Sequence, residues 1–217
     1  MTRRSYRQYC GLAHALDLVG ERWTLLIVRD VAVRPRRFGE LLDGLPGLGT
    51  SLLSNRLKQL EHDDIIERAV TSEPSGIVYR LTDHGRALAA ALAPLTRWGA
   101  ATLPPAPPSD HWDPDWLAFT ITSAFHPEHA TDVDHCYRLD TPAATLYALV
   151  TNATVTVTTD QSRPPDLTVT TDLPTLAAIG SGTMSITDAA TTGHFHTDGP
   201  PHIAHTALRL FGLPPTT

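Results

Sequence analysis

Lysine is almost missing from this 217-residue chain: Lys58 stands alone against 16 arginines. Cysteine and methionine occur twice each, and aromatic residues make up 6%. Two cysteines exclude a disulfide-stapled scaffold. No apolar run approaches the roughly 18 residues that a bilayer span requires. The basic stretch 1–20 is not followed by a signal-peptide core, so a cytoplasmic protein with no membrane partner is expected. Charged residues reach only 18%, too few for a disordered polyelectrolyte, while 41% hydrophobic residues suffice for packed cores. There is no nucleophile elbow, phosphate loop, zinc motif or dinucleotide fingerprint, so neither an enzyme nor a cofactor is expected.

What is present is unevenly distributed. The net charge of −6 divides into +3 over residues 1–103, with 14 Lys+Arg and 11 Asp+Glu, and −9 over residues 104–217, with 3 and 12. A polyanion can therefore dock only on the first half. Between the halves, Leu103 to Ser109 carries four prolines in seven residues, an extended and stiff connector. The expected organisation is a domain over 1–103, a linker over 104–109, and a second domain over 110–217.

In the first half, Leu12, Ala15, Leu16 and Val19 recur at helical spacing, and after Gly20 so do Trp23, Leu26, Ile27 and Val31. Pro35 ends this second helix, and Arg36 to Leu42 opens a third. Thr50 reads as the N-cap of a helix over 51–62, whose buried stripe is Leu53, Leu57 and Leu60. Ser51, Ser54, Asn55 and Lys58 fall at i, i+3, i+4 and i+7, with Arg56 beside them. That polar face suits a helix in a major groove, and it also suits an ordinary solvated face. Strands over 65–71 and 77–82 flank a Ser72–Gly76 turn, and a long helix over 83–100 carries Leu88, Leu92, Leu95 and Trp98. Such a stripe calls for a partner, the same helix of a second copy.

These segments resemble the HxlR family of bacterial winged-helix transcription regulators over roughly residues 7–100. The resemblance rests on Tyr9-Cys10, Leu18 to Leu26, Pro35 to Leu41, Leu52 to Glu61 and Tyr79 to Arg86. It implies a homodimer on a pseudo-palindromic operator in double-stranded DNA. It also places Ser51, Ser54, Asn55, Arg56 and Lys58 on DNA, with Thr24, Arg36 and Arg37 at the phosphate backbone. Glu73 departs from the family at the wing tip, since a carboxylate repels phosphate, and Arg80 is the compensating cation. Cys10 matches a family cysteine that in some members senses oxidants or electrophiles; Arg3, Arg4 and Arg7 and a helix start favour its thiolate. A small packing residue is the other reading of Cys10.

The second half alternates apolar and polar residues: Val155 and Val157 with Thr154, Thr156 and Thr158, then Leu167 and Val169 with Thr168 and Thr170. Helices are expected over 115–125, 173–179, 185–191 and 201–211, and strands over 133–139, 145–150, 154–159, 166–171 and 193–199. This order resembles the sterol carrier protein type-2 fold over about 112–213. The carrying residues are Pro165 to Asp172, Gly180-Ser181-Gly182, Gly193 to Gly199 and Leu208 to Leu213. The fold class expected for the whole chain is α+β, a winged helix followed by a mixed or antiparallel sheet covered by helices.

The second resemblance implies an apolar tunnel for a hydrophobic small-molecule effector. Its candidate lining is Trp116, Phe119, Leu167, Val169, Leu176, Ile179, Met184, Ile186, Phe195, Leu208 and Phe211. The same residues can fill a small core. His194 and His196 share a strand face, and His202 and His205 share a helix, but no cysteine or carboxylate is spaced to complete a metal site, and none is expected. Together the halves read as a ligand-responsive regulator. The alternative is an enzyme or carrier for a hydrophobic metabolite that keeps the winged helix for dimerisation.

Overall fold

The computed structural model describes residues 5–72, 75–100, 102–103 and 113–213. The chain falls into two compact units, Met1–Ala91 and Leu92–Thr217. The boundary lies inside a helix, whereas the sequence places its break at 104–109, which is outside the described residues, as is Glu73.

The first unit opens with α1 (Gly11–Val19) and α2 (Thr24–Val33), separated by Gly20 to Trp23. α3 (Phe38–Gly44) and α4 (Thr50–His62) follow, joined by a turn that uses the positive φ of Gly47. Gly49, not Thr50, caps α4, so that helix starts one residue earlier than the cap pattern predicts. β1 (Ile66–Ser72) and β2 (Ser75–Leu81) form an antiparallel hairpin. The Arg36 and Tyr79 backbones pair with each other (2.9 and 2.7 Å), joining the α2–α3 connection to the hairpin. Gly85 opens α5 (Asp83–Ala100), where a Cβ would lie 2.0 Å from the Ile65 carbonyl oxygen; only glycine admits that approach. The core under α4 is solid: Ile27, Val28, Leu41, Leu53, Leu57, Leu60, Ile65 and Ile66 are all essentially inaccessible.

The second unit contains the end of α5, then α6 (Pro114–Ala124), a short 3-10 turn (Pro127–His129), β3 (His135–Asp140), β4 (Thr145–Thr151), β5 (Thr154–Thr158), β6 (Leu167–Thr171), α7 (Leu173–Gly180), α8 (Ile186–Thr191), β7 (Phe195–Asp198) and α9 (Pro201–Leu210). Arg97 of α5 donates to the Ser123 carbonyl of α6. The five strands form one mixed sheet in the order β5-β4-β3-β6-β7, with only β3 and β6 parallel. Asn152 and Ala153, both at positive φ, make the tight β4–β5 turn. Asp113, Asp172 and Ser185 cap α6, α7 and α8, each accepting a backbone N–H of the first turn.

Register sets which side chains share the inner face. Leu146 opposes Leu139, Leu139 opposes Val169, and Val169 opposes Thr197, so these four form one cross-strand row. Ala148, Tyr137 and Leu167 form the next. Behind them the core gathers Val150, Ile203 and Leu210, and a second cluster gathers Ile179, Ile186, Ala189 and Phe195. Among the described residues no helix is long and apolar enough to cross a membrane.

Candidate nucleic-acid interface and apolar cavity

α3, its turn and α4 form a helix-turn-helix in which α4 turns its leucines inward and a polar face outward. Ser51, Asn55 and Lys58 are exposed; Ser54 and Arg56 are half-buried. Arg56 Nη2 is 2.9 Å from Glu21 Oε2, while its buried Nε has no partner among the described residues. Glu21 is 35 positions away in sequence, so nothing in the local pattern of α4 reveals this pairing.

Two expected phosphate contacts are corrected. Thr24 is 3% exposed at the start of α2, and Arg36 is 5% exposed, its Nε donating to the Asp30 carbonyl at 3.2 Å. Both side chains face the core and cannot present themselves to a duplex. Arg37 stays near the surface and lies over the hairpin, where its Nη1 donates to Ser75 O at 3.4 Å. A Cβ on Gly76 would meet that nitrogen at 2.2 Å, so the hairpin glycine makes room for the guanidinium. Arg80 is exposed but bound to Glu67 at 2.8 Å, directly opposite in register, and Arg68 is bound to Glu61 at 2.7 Å. The wing strands are therefore charge-balanced.

Cys10 is exposed at the start of α1. The N–H groups of Ala13 and Leu12 stabilise its thiolate and hold the thiol below its usual range. Cys136 is buried in β3, and burial pushes its thiol up.

On the helical side of the second unit's sheet lies a cavity of about 460 Å³. Leu117, Thr120, Ile121 and Ala124 of α6 line it at i, i+3, i+4 and i+7; both cross-strand rows form its floor. Of the candidates read from the sequence, Leu167, Val169, Leu176, Ile186, Phe195, Leu208 and Phe211 line it. Trp116, Phe119, Ile179 and Met184 do not. Trp116 and Phe119 lie off the α6 stripe, while Ile179 and Met184 belong to the second core cluster. Sequence reasoning also missed part of the lining: the apolar Leu117, Ile121, Leu139, Leu146 and Leu213, the small Ala148, Ala204 and Ala207, and the polar Tyr137 and His205.

Tyr137 packs edge-on against Phe211, with its hydroxyl 3.0 Å from His135 Nδ1. Burial pushes that hydroxyl far above the usual tyrosine range, so it stays neutral. Phe195 points inward and His194 and His196 outward, and His194 Nδ1 is 3.1 Å from Asp172. Among the described residues no three His, Cys, Asp or Glu gather to hold a metal ion.

Residues 18–107 match the HxlR-like helix-turn-helix family. YodB, an HTH-type transcriptional regulator of Bacillus subtilis, is 38% identical over 85 residues, covering 39% of this chain and 76% of that protein. The chain belongs to the HxlR-like helix-turn-helix family. A second HxlR-like match is an HTH-type transcriptional regulator of Mycobacterium tuberculosis, 44% identical over 95 residues, or 43% of this chain and 60% of that protein. The chain thus spans about 60% of the length of its mycobacterial relatives. The solved structure of reduced YodB shares 32% identity and covers 46% of this chain and 100% of that one, with a TM-score of 0.39. Both relatives are named as HTH-type transcriptional regulators. The family match ends before the first cavity-lining residue, Leu117.

Proposed function

We propose that this HxlR-like protein binds a pseudo-palindromic operator as a homodimer and that a hydrophobic effector in the second unit alters operator affinity. The observation that carries the DNA reading is the outward stripe of Ser51, Asn55 and Lys58 on α4, held by a core with no slack. These three side chains and Ser54 read base edges or phosphates in the major groove. Arg56 is presented through Glu21, and Arg37 and Arg80 flank the groove as phosphate contacts.

Exposed apolar surface supports the dimer. In the first unit Tyr6, Tyr9, Leu12 and Leu16 are exposed on and before α1; in the second, Leu95 and Trp98 of α5 are 49% and 72% exposed. Leu92, expected in the same stripe, is buried within the chain, and Leu88 is half-buried, so the self-association face is shorter than the sequence implies. Cys10, exposed beside this surface in sequence, is a candidate redox position at the dimer face.

The cavity supports the effector reading. It has the size and apolar character of a small-molecule pocket in a sterol-carrier-like unit. An effector acts by favouring one of two dimer geometries, only one of which fits the operator. The test is a binding titration on the DNA upstream of the protein's own gene at rising salt. Affinity should fall steeply through counterion release, and Asn55→Ala with Arg56→Ala should abolish the specific shift while leaving the dimer mass intact. Retention of full binding by the double variant would overturn the groove assignment.

A further inference from the structure

The cavity's floor and mouth differ in chemistry. Its floor is the apolar rows of the sheet, whereas its exposed lining residues are Thr197, Gly199, Pro201 and His205 from the end of β7 and the start of α9, with Thr120, Gly180 and Ala190 from α6, α7 and α8. His205 Nδ1 lies 2.7 Å from the Pro201 carbonyl oxygen. A carbonyl only accepts, so Nδ1 carries the proton. In the neutral ring Nε2 is then an acceptor with no hydrogen of its own. Arg138, the cation in the lining, is bound to Asp140 at 2.9 Å, and Asp140 also accepts the Thr145 hydroxyl at 2.7 Å. Residues 104–217 carry a net −9. An anionic head group would therefore find the lining cation already paired, in a half of the chain whose net charge is negative.

We infer that the cavity takes a neutral amphiphile, an apolar body ending in one hydroxyl that donates to His205 Nε2 at the mouth. This rests on reading the cavity as a ligand site. The apolar body contributes affinity by filling the space over Val169 and Leu167, and the hydroxyl contributes orientation, because a ring nitrogen that only accepts favours a donor over an ether or a carboxylate.

Calorimetry on the full chain at pH 8 tests this with three ten-carbon probes: decan-1-ol, nonyl methyl ether and decanoate. The alcohol should bind up to about tenfold more tightly than the ether, the equivalent of one good hydrogen bond. Decanoate should bind weakest. His205→Ala should reduce the alcohol to the level of the ether and leave the ether unchanged; His205→Gln, whose amide oxygen still accepts, should keep most of the preference. Equal binding of alcohol and ether, tightest binding of decanoate, or no response to His205→Ala would overturn the hydroxyl inference while leaving the ligand cavity standing. Binding of none of the three would overturn both.

Discussion

The two units bury their apolar residues to different ends. Under α4, leucines and isoleucines are shut away from solvent, and the result is a helix anchored by its buried side with its polar stripe outward. Over the five-stranded sheet about 460 Å³ remains open, and Ala148, Ala204 and Ala207 are among the residues that line it. A reading helix needs a fixed geometry, since misplacement of its side chains by an ångström loses hydrogen bonds to base edges. A pocket needs walls that are rigid and a centre that is empty. The same kind of apolar composition serves both, and the difference lies in how the elements that carry it meet.

The contrast extends to the two cysteines and gives the largest expected effect. Cys10 is exposed with its thiolate favoured, and Cys136 is buried with its thiolate disfavoured. In the folded protein iodoacetamide should label Cys10 at least about 100-fold faster, because Cys136 reacts only through local opening. Mass spectrometry of the labelled peptides checks this; equal rates would mean that β3 opens as freely as the N-terminal segment.

Cavity creation in the solid core comes next. Leu57→Ala should cost about 2–5 kcal/mol and remove DNA binding with it, as measured by thermal or denaturant unfolding alongside a DNA titration. Enlargement sharpens the comparison further. Val28→Leu in the solid core should cost about 1–3 kcal/mol. Ala204→Leu, which points into the cavity, should be close to neutral and should weaken uptake of any apolar ligand. A large destabilisation by Ala204→Leu would show that the second core is as tightly closed as the first.

The smallest expected effect concerns the cap of α7. Asp172 accepts the Thr175 N–H at 2.7 Å and faces His194. Burial works against its charge, but the bonds from Thr175 and His194 outweigh it and hold the carboxyl below its ordinary value of 3.8. A depressed carboxylate stabilises the fold above its unfolded value, and that contribution is lost as pH falls through the lower folded one. Asp172→Ala should therefore cost about 0.5–2 kcal/mol near neutral pH and progressively less in acid below 3.8, read from denaturant midpoints across that range. A cost that did not shrink in acid would separate the cap from its charge.

Much of this was legible beforehand. The spacing of Leu53, Leu57 and Leu60 predicts the buried side of α4, and Ser51, Asn55 and Lys58 then fall outside as the period requires. Alternation predicts the inward faces of β6 and β7, including Phe195 inward with its two histidine neighbours outward. What was not legible has a common cause. Thr24 and Arg36 match phosphate-contact positions by sequence, yet both are buried, and the Arg36 Nε donates to the Asp30 carbonyl of α2. Trp116 and Phe119 are the bulky apolar residues of α6, but the cavity stripe passes through Leu117, Thr120, Ile121 and Ala124 instead. Size and hydrophobicity identify what is buried, and only rotation about the helix axis identifies against what.

The sequence by itself determined the order of helices and strands, the basic and acidic halves, and the polar stripe on α4, because each depends on residues within a few turns of one another. Tertiary structure alone decided that Arg56 answers to Glu21 across 35 residues, that Leu92 turns inward while Trp98 stays out, and that residues of α6, the sheet and α9 together line one open space. Local periodicity fixes a side chain's direction relative to its own element. A pair or a void is a property of two elements at once, and it exists only when the packing that brings them together is complete.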